Sequence, residues 1–185
     1  MAKSGTIYAL GDSITFASET SSPWLYAYPI LLGAYYNLPV RNLAIGGVTS
    51  TEVLGSQVPQ ISGPCSLGTV NIGTNDAGAE RGRLAENLQL IVNALKSKCE
   101  NVVVMTIIAN PNIDTQRIPV YASTRDRLNE QIQALSSEIT VLELNADPRL
   151  HDPANFFQPF NIHPTITGHV VIAQDIEALF EKPAP

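Results

Sequence analysis

Five short apolar runs alternate with segments of helical character along this chain of 185 residues, and that alternation restricts the fold more than any other feature. The runs lie at 7–10, 39–44, 67–72, 102–108 and 139–144. Strands that alternate with helices are typical of a parallel sheet covered by helices on both faces. The sequence therefore predicts one domain over residues 1–185, with three α/β/α layers and a flavodoxin-like, five-stranded parallel sheet.

Helical segments fill the intervals between these runs. Apolar residues at 84, 88, 91, 92 and 95 recur at the spacing of one buried helix face, which predicts a helix over 83–98. Further helices are predicted at 24–36, 122–137 and 167–180, with Pro29 in a first turn or at a kink. Residues 49–52, Thr-Ser-Thr-Glu, are typical of a capped helix start.

Charge and composition argue against several classes of function. The formal net charge is −6 without a basic run, so we expect no nucleic acid partner. No apolar stretch approaches the roughly 20 residues that span a bilayer. The histidines and cysteines lack metal-ligand spacing, so we expect no metal site. We also expect no cofactor. Because Met1 leads almost directly into the first strand, we expect a protein that is secreted, as a mature form without its signal peptide, or otherwise cytoplasmic. We also expect a monomer.

Chemically useful residues follow three of the predicted strands and precede the last helix. Ser13 follows the first strand, Gly46 and Gly47 follow the second, and Asn75 follows the third, while His163 precedes the final helix. Right-handed crossovers bring the C-terminal ends of parallel strands to one edge of the sheet, so we expect these groups to gather there. Taken alone, each of these residues could equally have a purely structural role. The corresponding roles are a strand-to-helix turn with an N-cap serine, a glycine turn, a loop amide and a surface histidine.

Together these groups match the needs of acyl transfer, which are a nucleophile, a base and donors for an oxyanion. Ser13 can be the nucleophile and His163 the base. The N–H groups of Ser13 and Gly47 and the side-chain amide of Asn75 can be the donors.

Four segments resemble, in order and spacing, the sequence blocks of the SGNH hydrolases, also called GDSL-type esterases and lipases. They are Gly11-Asp12-Ser13-Ile14, the run from Asn42 to Thr49 that contains Gly47, Gly73-Thr74-Asn75-Asp76, and His163-Pro164. The resemblance covers nearly the whole chain and implies a single SGNH-hydrolase-like domain. It also implies a carboxylic ester hydrolase, acting on a small-molecule ester or lipid through an acyl-enzyme intermediate. In that family pattern Ser13 is the nucleophile, and Gly47 and Asn75 contribute to the oxyanion hole.

One position departs from the family pattern. The family usually has an aspartate three residues before the histidine, where this chain has Phe160. The third catalytic group is therefore open between a backbone carbonyl near Phe160, the Asn161 side chain and Asp152. We favour a Ser13–His163 dyad, in which the imidazole donates its Nδ1–H to a neutral acceptor.

Two other functions are compatible with this fold. A nucleotide-binding protein would have a glycine-rich phosphate loop after the first strand, where this chain has Gly-Asp-Ser with an acid that repels phosphate. A non-catalytic carbohydrate or lipid binder would keep the fold without the reaction. Labelling by a fluorophosphonate would distinguish this binder from an enzyme.

The candidate substrates are short acyl esters, acetylated sugars, lysophospholipids and thioesters. An apolar acyl site is expected beside the histidine, although aromatic rings can equally pin a loop to the core. The residues expected to line that site are Phe156, Phe157, Phe160, Ile107 and Ile108.

The two cysteines, Cys65 and Cys99, precede the third and fourth predicted strands. Free thiols in a cytosolic protein are one interpretation. In the flavodoxin-like order, however, these strands are parallel neighbours, and their N-terminal ends then lie close enough for a disulfide. That bond would indicate a secreted protein.

Overall fold

The parallel sheet has the predicted flavodoxin-like strand order. A computed structural model describes residues 5–79, 83–109, 121–152 and 162–180. Its five strands are all parallel and lie in the order β2-β1-β3-β4-β5. They are β1 (Thr6–Gly11), β2 (Val40–Asn42), β3 (Cys65–Asn71), β4 (Cys99–Met105) and β5 (Thr140–Leu142). The C-terminal ends of the strands therefore form one edge of the sheet, called the C-terminal edge below.

Helices occupy the intervals between the strands. They are α1 (Ser13–Phe16), α2 (Pro23–Tyr26), α3 (Tyr28–Tyr36), α4 (Ser50–Glu52), α5 (Thr74–Ala79), α6 (Leu84–Lys96), α7 (Tyr121–Gln133) and α8 (Ile166–Glu177). A π-helical turn, Val53–Gln57, and a 3₁₀ turn, Val58–Gln60, continue α4. The predicted start of α4 is confirmed, because the N–H and the hydroxyl of Thr49 both donate to Glu52 Oε2, at 2.7 and 2.9 Å.

The prediction of one helix over 24–36 is wrong, because α2 and α3 are separate. Ala27 between them is extended, with φ −57° and ψ 134°, so the helical hydrogen-bond ladder cannot continue through it. Pro29 lies in the first turn of α3, where its missing N–H costs nothing.

The core has two halves, one on each face of the sheet, because successive strand side chains point to opposite faces. Ile7, Leu67 and Val103 pack with α3 and α8 on one face. Tyr8, Val70 and Val104 pack with α6 and α7 on the other. All of β3 is buried, as expected for a central strand with helices on both sides. This arrangement is a three-layer α/β/α fold.

A disulfide joins Cys65 and Cys99 at the opposite, N-terminal edge of the sheet. The two residues are register partners in the parallel pair β3–β4, and their Cα atoms are 4.2 Å apart. The disulfide interpretation is confirmed and the free-thiol interpretation is wrong. Among the helices of the described segments, none has both the length and the apolar character to cross a membrane.

Candidate active site

The turn that carries Ser13 begins where β1 ends. Asp12 is the N-cap of α1, and its Oδ1 accepts from Ile14 N at 2.9 Å. Ser13 is thus the first helical residue and not the cap, so its hydroxyl is not used to cap the helix. Its N–H has no acceptor within the helix, because the first N–H groups of any helix lack one. Ser13 therefore lies at the C-terminal edge with a hydroxyl for the predicted role of nucleophile and an N–H for the predicted role of oxyanion donor.

A buried glutamine fixes the end of β1 immediately before this turn. Gly11 N donates to Gln57 Oε1 at 2.9 Å, and Gln57 Nε2 donates to Gly11 O at 2.8 Å. The π-helical turn brings Gln57 to this position, and such turns are frequent at functional sites. A Cβ on Gly11 would lie 2.4 Å from Asn71 O, so only glycine fits here.

The loop after β2 lies against Ser13. A Cβ built on Gly46 would lie 3.8 Å from the Cβ of Ser13 and 3.8 Å from the Oγ of Ser18. Gly47 has φ +80°, a left-handed conformation that glycine adopts without strain. Nothing lies within 4 Å of a Cβ built on Gly47, so the backbone conformation and not a close contact requires glycine there.

Asn75 links the turns that follow β1 and β2. It lies in the first turn of α5, and its Nδ2 donates to Val48 O at 2.9 Å. The same nitrogen is 3.5 Å from Asp12 Oδ2. Ser13, Gly47 and Asn75 therefore lie on neighbouring loops that contact one another, as the sequence predicts.

Two buried acids lie beneath these loops. Burial raises the pKa of Asp12 to about 7, and the charge of Asp76 acts in the same direction. Burial also raises the pKa of Asp76, although Ser50 opposes this by donating its N–H at 3.0 Å and its hydroxyl at 2.5 Å. Protonation of the Asp12 carboxylate therefore removes a negative charge that lies next to the Asn75 amide.

His163 lies just before α8, beside a carboxylate that the sequence does not single out. Its Nδ1 is 3.5 Å from Glu19 Oε1, and its side chain is 14% exposed. Among the described residues no hydrogen bond satisfies that Nδ1, and none joins His163 to Ser13. Asp152 is exposed. Phe160 and Asn161, the other predicted acceptors, lie outside the described residues.

A second histidine, His169, is fully buried on α8 below this segment. Burial and the nearby His163 lower the pKa of His169 to about 4. Its ring stacks on that of Tyr28 at 6.4 Å, and neither ring nitrogen has a hydrogen bond within the described segments. His169 is therefore neutral at pH 7. The described segments contain no cluster of three or more residues that could hold a metal ion.

The apolar surface near Ser13 differs from the predicted one. Ile107 and Ile108 are buried in the two halves of the core, so the prediction that they line an acyl site is wrong. The three predicted phenylalanines, Phe156, Phe157 and Phe160, lie outside the described residues. Phe16, one turn after Ser13, is 46% exposed, and Ile45, next to Gly46, is 45% exposed.

Sequence reasoning missed Gln57 and Glu19. Gln57 contacts residue 11 across 46 positions from an irregular helix, and no periodic pattern indicates such a contact. Glu19 had one usable signal, because it is an acid in the loop directly after α1, at the edge where the site was expected.

Fold and site together define a class: a doubly wound α/β protein with a serine, a loop glycine and an asparagine gathered at the C-terminal edge of the sheet. The sequence matches the model of the GDSL-like Lipase/Acylhydrolase family over residues 9–171. The chain therefore belongs to this family. Among curated protein sequences none matches it significantly.

Solved structures resemble the whole fold at low sequence identity. A member of the lipolytic G-D-S-L family from Veillonella parvula is 19% identical with a TM-score of 0.72, over 96% of this chain and 98% of that one. An acetylxylan esterase from Geobacillus stearothermophilus is 18% identical with a TM-score of 0.68, over 96% and 95%. An extracellular lipase from Streptomyces rimosus is 16% identical with a TM-score of 0.66, over 96% and 100%. At these identities the likeness shows the fold alone.

Proposed function

We propose that this protein is a serine hydrolase that cleaves carboxylic esters through an acyl-enzyme intermediate, with Ser13 as nucleophile and His163 as general base. The observation that carries the proposal is the convergence of Ser13, Gly47 and Asn75 from three neighbouring strand ends, tied together by the Asn75–Val48 hydrogen bond. Membership of a family of lipases and acylhydrolases supports the same reaction class.

In the first half-reaction, the Ser13 Oγ forms a bond to the ester carbonyl carbon while His163 Nε2 accepts the hydroxyl proton. The negative charge moves to the carbonyl oxygen, where the N–H groups of Ser13 and Gly47 and the Asn75 amide receive it. The bond to the leaving oxygen then breaks, and His163 returns its proton to the departing alcohol.

In the second half-reaction, His163 takes a proton from water as the water oxygen attacks the acyl carbon. The bond between that carbon and Ser13 Oγ breaks, Ser13 regains its proton from His163, and the carboxylic acid leaves. No step requires a cofactor. The catalytic hydrogen bond from Ser13 to His163 is expected to form in the substrate complex, since such bonds are often long without substrate.

The substrate class is proposed as a small-molecule ester or lipid. Structural relatives are named as a lipase and as an acetylxylan esterase. The exposed side chains of Phe16 and Ile45 favour esters with an apolar acyl chain. The Cys65–Cys99 disulfide supports an oxidising compartment, in agreement with secretion, and we expect a monomer.

Active-site labelling tests the proposal directly. The parent protein is treated with a fluorophosphonate probe and assayed on p-nitrophenyl esters of increasing chain length. We expect labelling at Ser13, loss of labelling and turnover in Ser13→Ala, and retention of both in Ser97→Ala, the matched control at an exposed serine that caps the C-terminal end of α6. A folded parent protein that is neither labelled nor active would contradict the proposal and favour a non-catalytic binder.

A further inference from the structure

The Nδ1 atom of His163, the predicted base, needs a hydrogen-bond partner. His163 Nδ1 is inaccessible to solvent, and among the described residues no hydrogen bond satisfies it. Buried ring nitrogens normally have a partner, and a catalytic histidine needs one to select its tautomer. Position 160, where the family usually has an aspartate, is a phenylalanine and carries no acceptor side chain. A carboxylate near Nδ1 would supply what that position lacks.

Glu19 places such a carboxylate there. Its Oε1 is 3.5 Å from His163 Nδ1, within the range of an ion pair, although the geometry is not that of a hydrogen bond. Contact across 144 positions brings the loop after the nucleophile together with the segment that carries the base. An uncharged imidazole attracts a carboxylate less than a protonated one, so this contact should shorten when His163 takes the Ser13 proton.

The loop that carries Glu19 is attached to the nucleophile turn. Ser18 N donates to Ser13 O at 3.0 Å, and the Thr20 hydroxyl donates to Ala17 O at 2.9 Å. Glu19 itself has φ +66°, a left-handed conformation that is unfavourable for a residue with a side chain. Such conformations persist only where the surroundings enforce them, and they concentrate at functional sites.

We propose that Glu19 is the positioning residue for His163, accepting its Nδ1–H so that Nε2 presents its lone pair to the Ser13 hydroxyl. The inference rests on the proposed function and replaces the neutral acceptor expected from the sequence with an acid from a different loop. Because the Glu19 side chain is 49% exposed, water screens its charge, and its effect should be smaller than that of a buried triad aspartate.

The kinetic test uses Glu19→Ala, Glu19→Asp and a matched control, Glu130→Gln, which changes an exposed glutamate on α7. We expect Glu19→Ala to lower kcat on one p-nitrophenyl ester by roughly 10- to 100-fold, between the effects of an exposed ion pair and of a buried triad carboxylate. KM should change little, and the rate of fluorophosphonate labelling should fall in parallel. Glu19→Asp should recover part of the loss, and Glu130→Gln should behave as the parent.

A spectroscopic test does not depend on turnover. In ¹⁵N NMR spectra of the histidine side chains, His163 should hold its proton on Nδ1 in the parent and lose that preference in Glu19→Ala. Unchanged NMR signals in folded Glu19→Ala overturn the inference, as does a parent-like kcat. A large loss of kcat in Asp152→Asn with a parent-like Glu19→Ala assigns the role to Asp152 instead. If the parent protein is neither labelled by the fluorophosphonate nor active on the esters, the proposed function fails. The NMR comparison still decides whether Glu19 orients His163.

Discussion

The side-chain amide of Gln57 pairs with the backbone of Gly11 as a neighbouring strand would. It accepts from the Gly11 N–H and donates to the Gly11 carbonyl. The same arrangement occurs at the end of β4, where the Asn129 amide accepts from Ile107 N at 2.7 Å and donates to Ile107 O at 2.9 Å. Only the first of the two amides lies next to the predicted nucleophile.

The two amides allow a matched experiment on the position of Ser13. Gly11 O also accepts from Ile45 N, and Ile107 O also accepts from Asn145 Nδ2, so each alanine variant leaves one buried N–H without a partner. Gln57→Ala and Asn129→Ala should each lose about 1–3 kcal/mol of unfolding free energy.

Only Gln57→Ala should also lose activity, roughly tenfold or more in kcat, because small displacements of a nucleophile are costly. Unfolding by denaturant and ester kinetics at a temperature where both variants are folded provide the comparison. Equal kcat values in the two variants would show that Gln57 acts on stability alone.

Asn75→Ala should lower kcat about 100-fold or more, the usual effect of removing one oxyanion donor. KM should change little, since the oxyanion exists only in the transition state and the intermediate. Asn101→Ala is the control, because Asn101 also donates its amide to a backbone carbonyl, Ser66 O, but from the N-terminal half of β4. Near-parent turnover in folded Asn75→Ala would remove Asn75 from the proposed site.

Chain-length preference tests the apolar surface beside Ser13. Replacing Phe16 or Ile45 by serine should lower kcat/KM for medium-chain esters roughly tenfold while affecting acetyl esters much less, because buried CH₂ groups each contribute about 0.8 kcal/mol. Leu90→Ser, on the outer face of α6 and 53% exposed, is the control. A parent that already prefers acetyl esters would count against an acyl site at these residues.

The stability of the protein should depend on pH through Asp12. Its pKa is raised from 3.8 to about 7 by burial, so between about pH 4 and pH 7 the folded state holds a proton that the unfolded state has released. This group therefore makes the unfolding free energy fall as pH rises through that window. Asp12→Asn, which can still accept from Ile14 N, should remove a fall on the order of a few kcal/mol.

His169→Phe gives the opposite sign and serves as the control. The pKa of His169 is lowered to about 4 by burial, so the unfolded state holds the extra proton and stability rises with pH up to about 6.5. The phenyl ring keeps the stack on Tyr28 and removes that rise. Denaturant unfolding at pH 4, 5.5 and 7 measures both effects, and parallel pH curves for Asp12→Asn and the parent would refute the assignment to Asp12.

The sequence predicts the position of a residue best where a local pattern marks a particular backbone conformation or the end of a strand. Ser13 and Asn75 could be placed because each directly follows a buried apolar run, and parallel strands end at one edge. Cys65 and Cys99 could be paired for the same reason at the other edge, since the strand order makes β3 and β4 neighbours.

Contacts that depend on three-dimensional packing could not be obtained in this way. Ala27 has no breaker chemistry of its own, yet its backbone is extended and separates α2 from α3. Ile107 and Ile108 follow the fourth strand and could be placed at the edge, but only the packed structure shows that the core covers both. Gln57 and Glu19 act through long-range side-chain contacts, which no local pattern encodes.

The Asn75–Val48 hydrogen bond determines which changes in sequence this site can tolerate. Its acceptor is a main-chain carbonyl, so this hydrogen bond requires a particular path of the backbone and no particular side chain at position 48. Substitutions in the loop after β2 that keep this backbone path, including the left-handed Gly47, can therefore accumulate without moving the Asn75 amide. An insertion or deletion there would displace Gly47 and Asn75 together, and diversification of this loop should proceed by residue exchange at constant length.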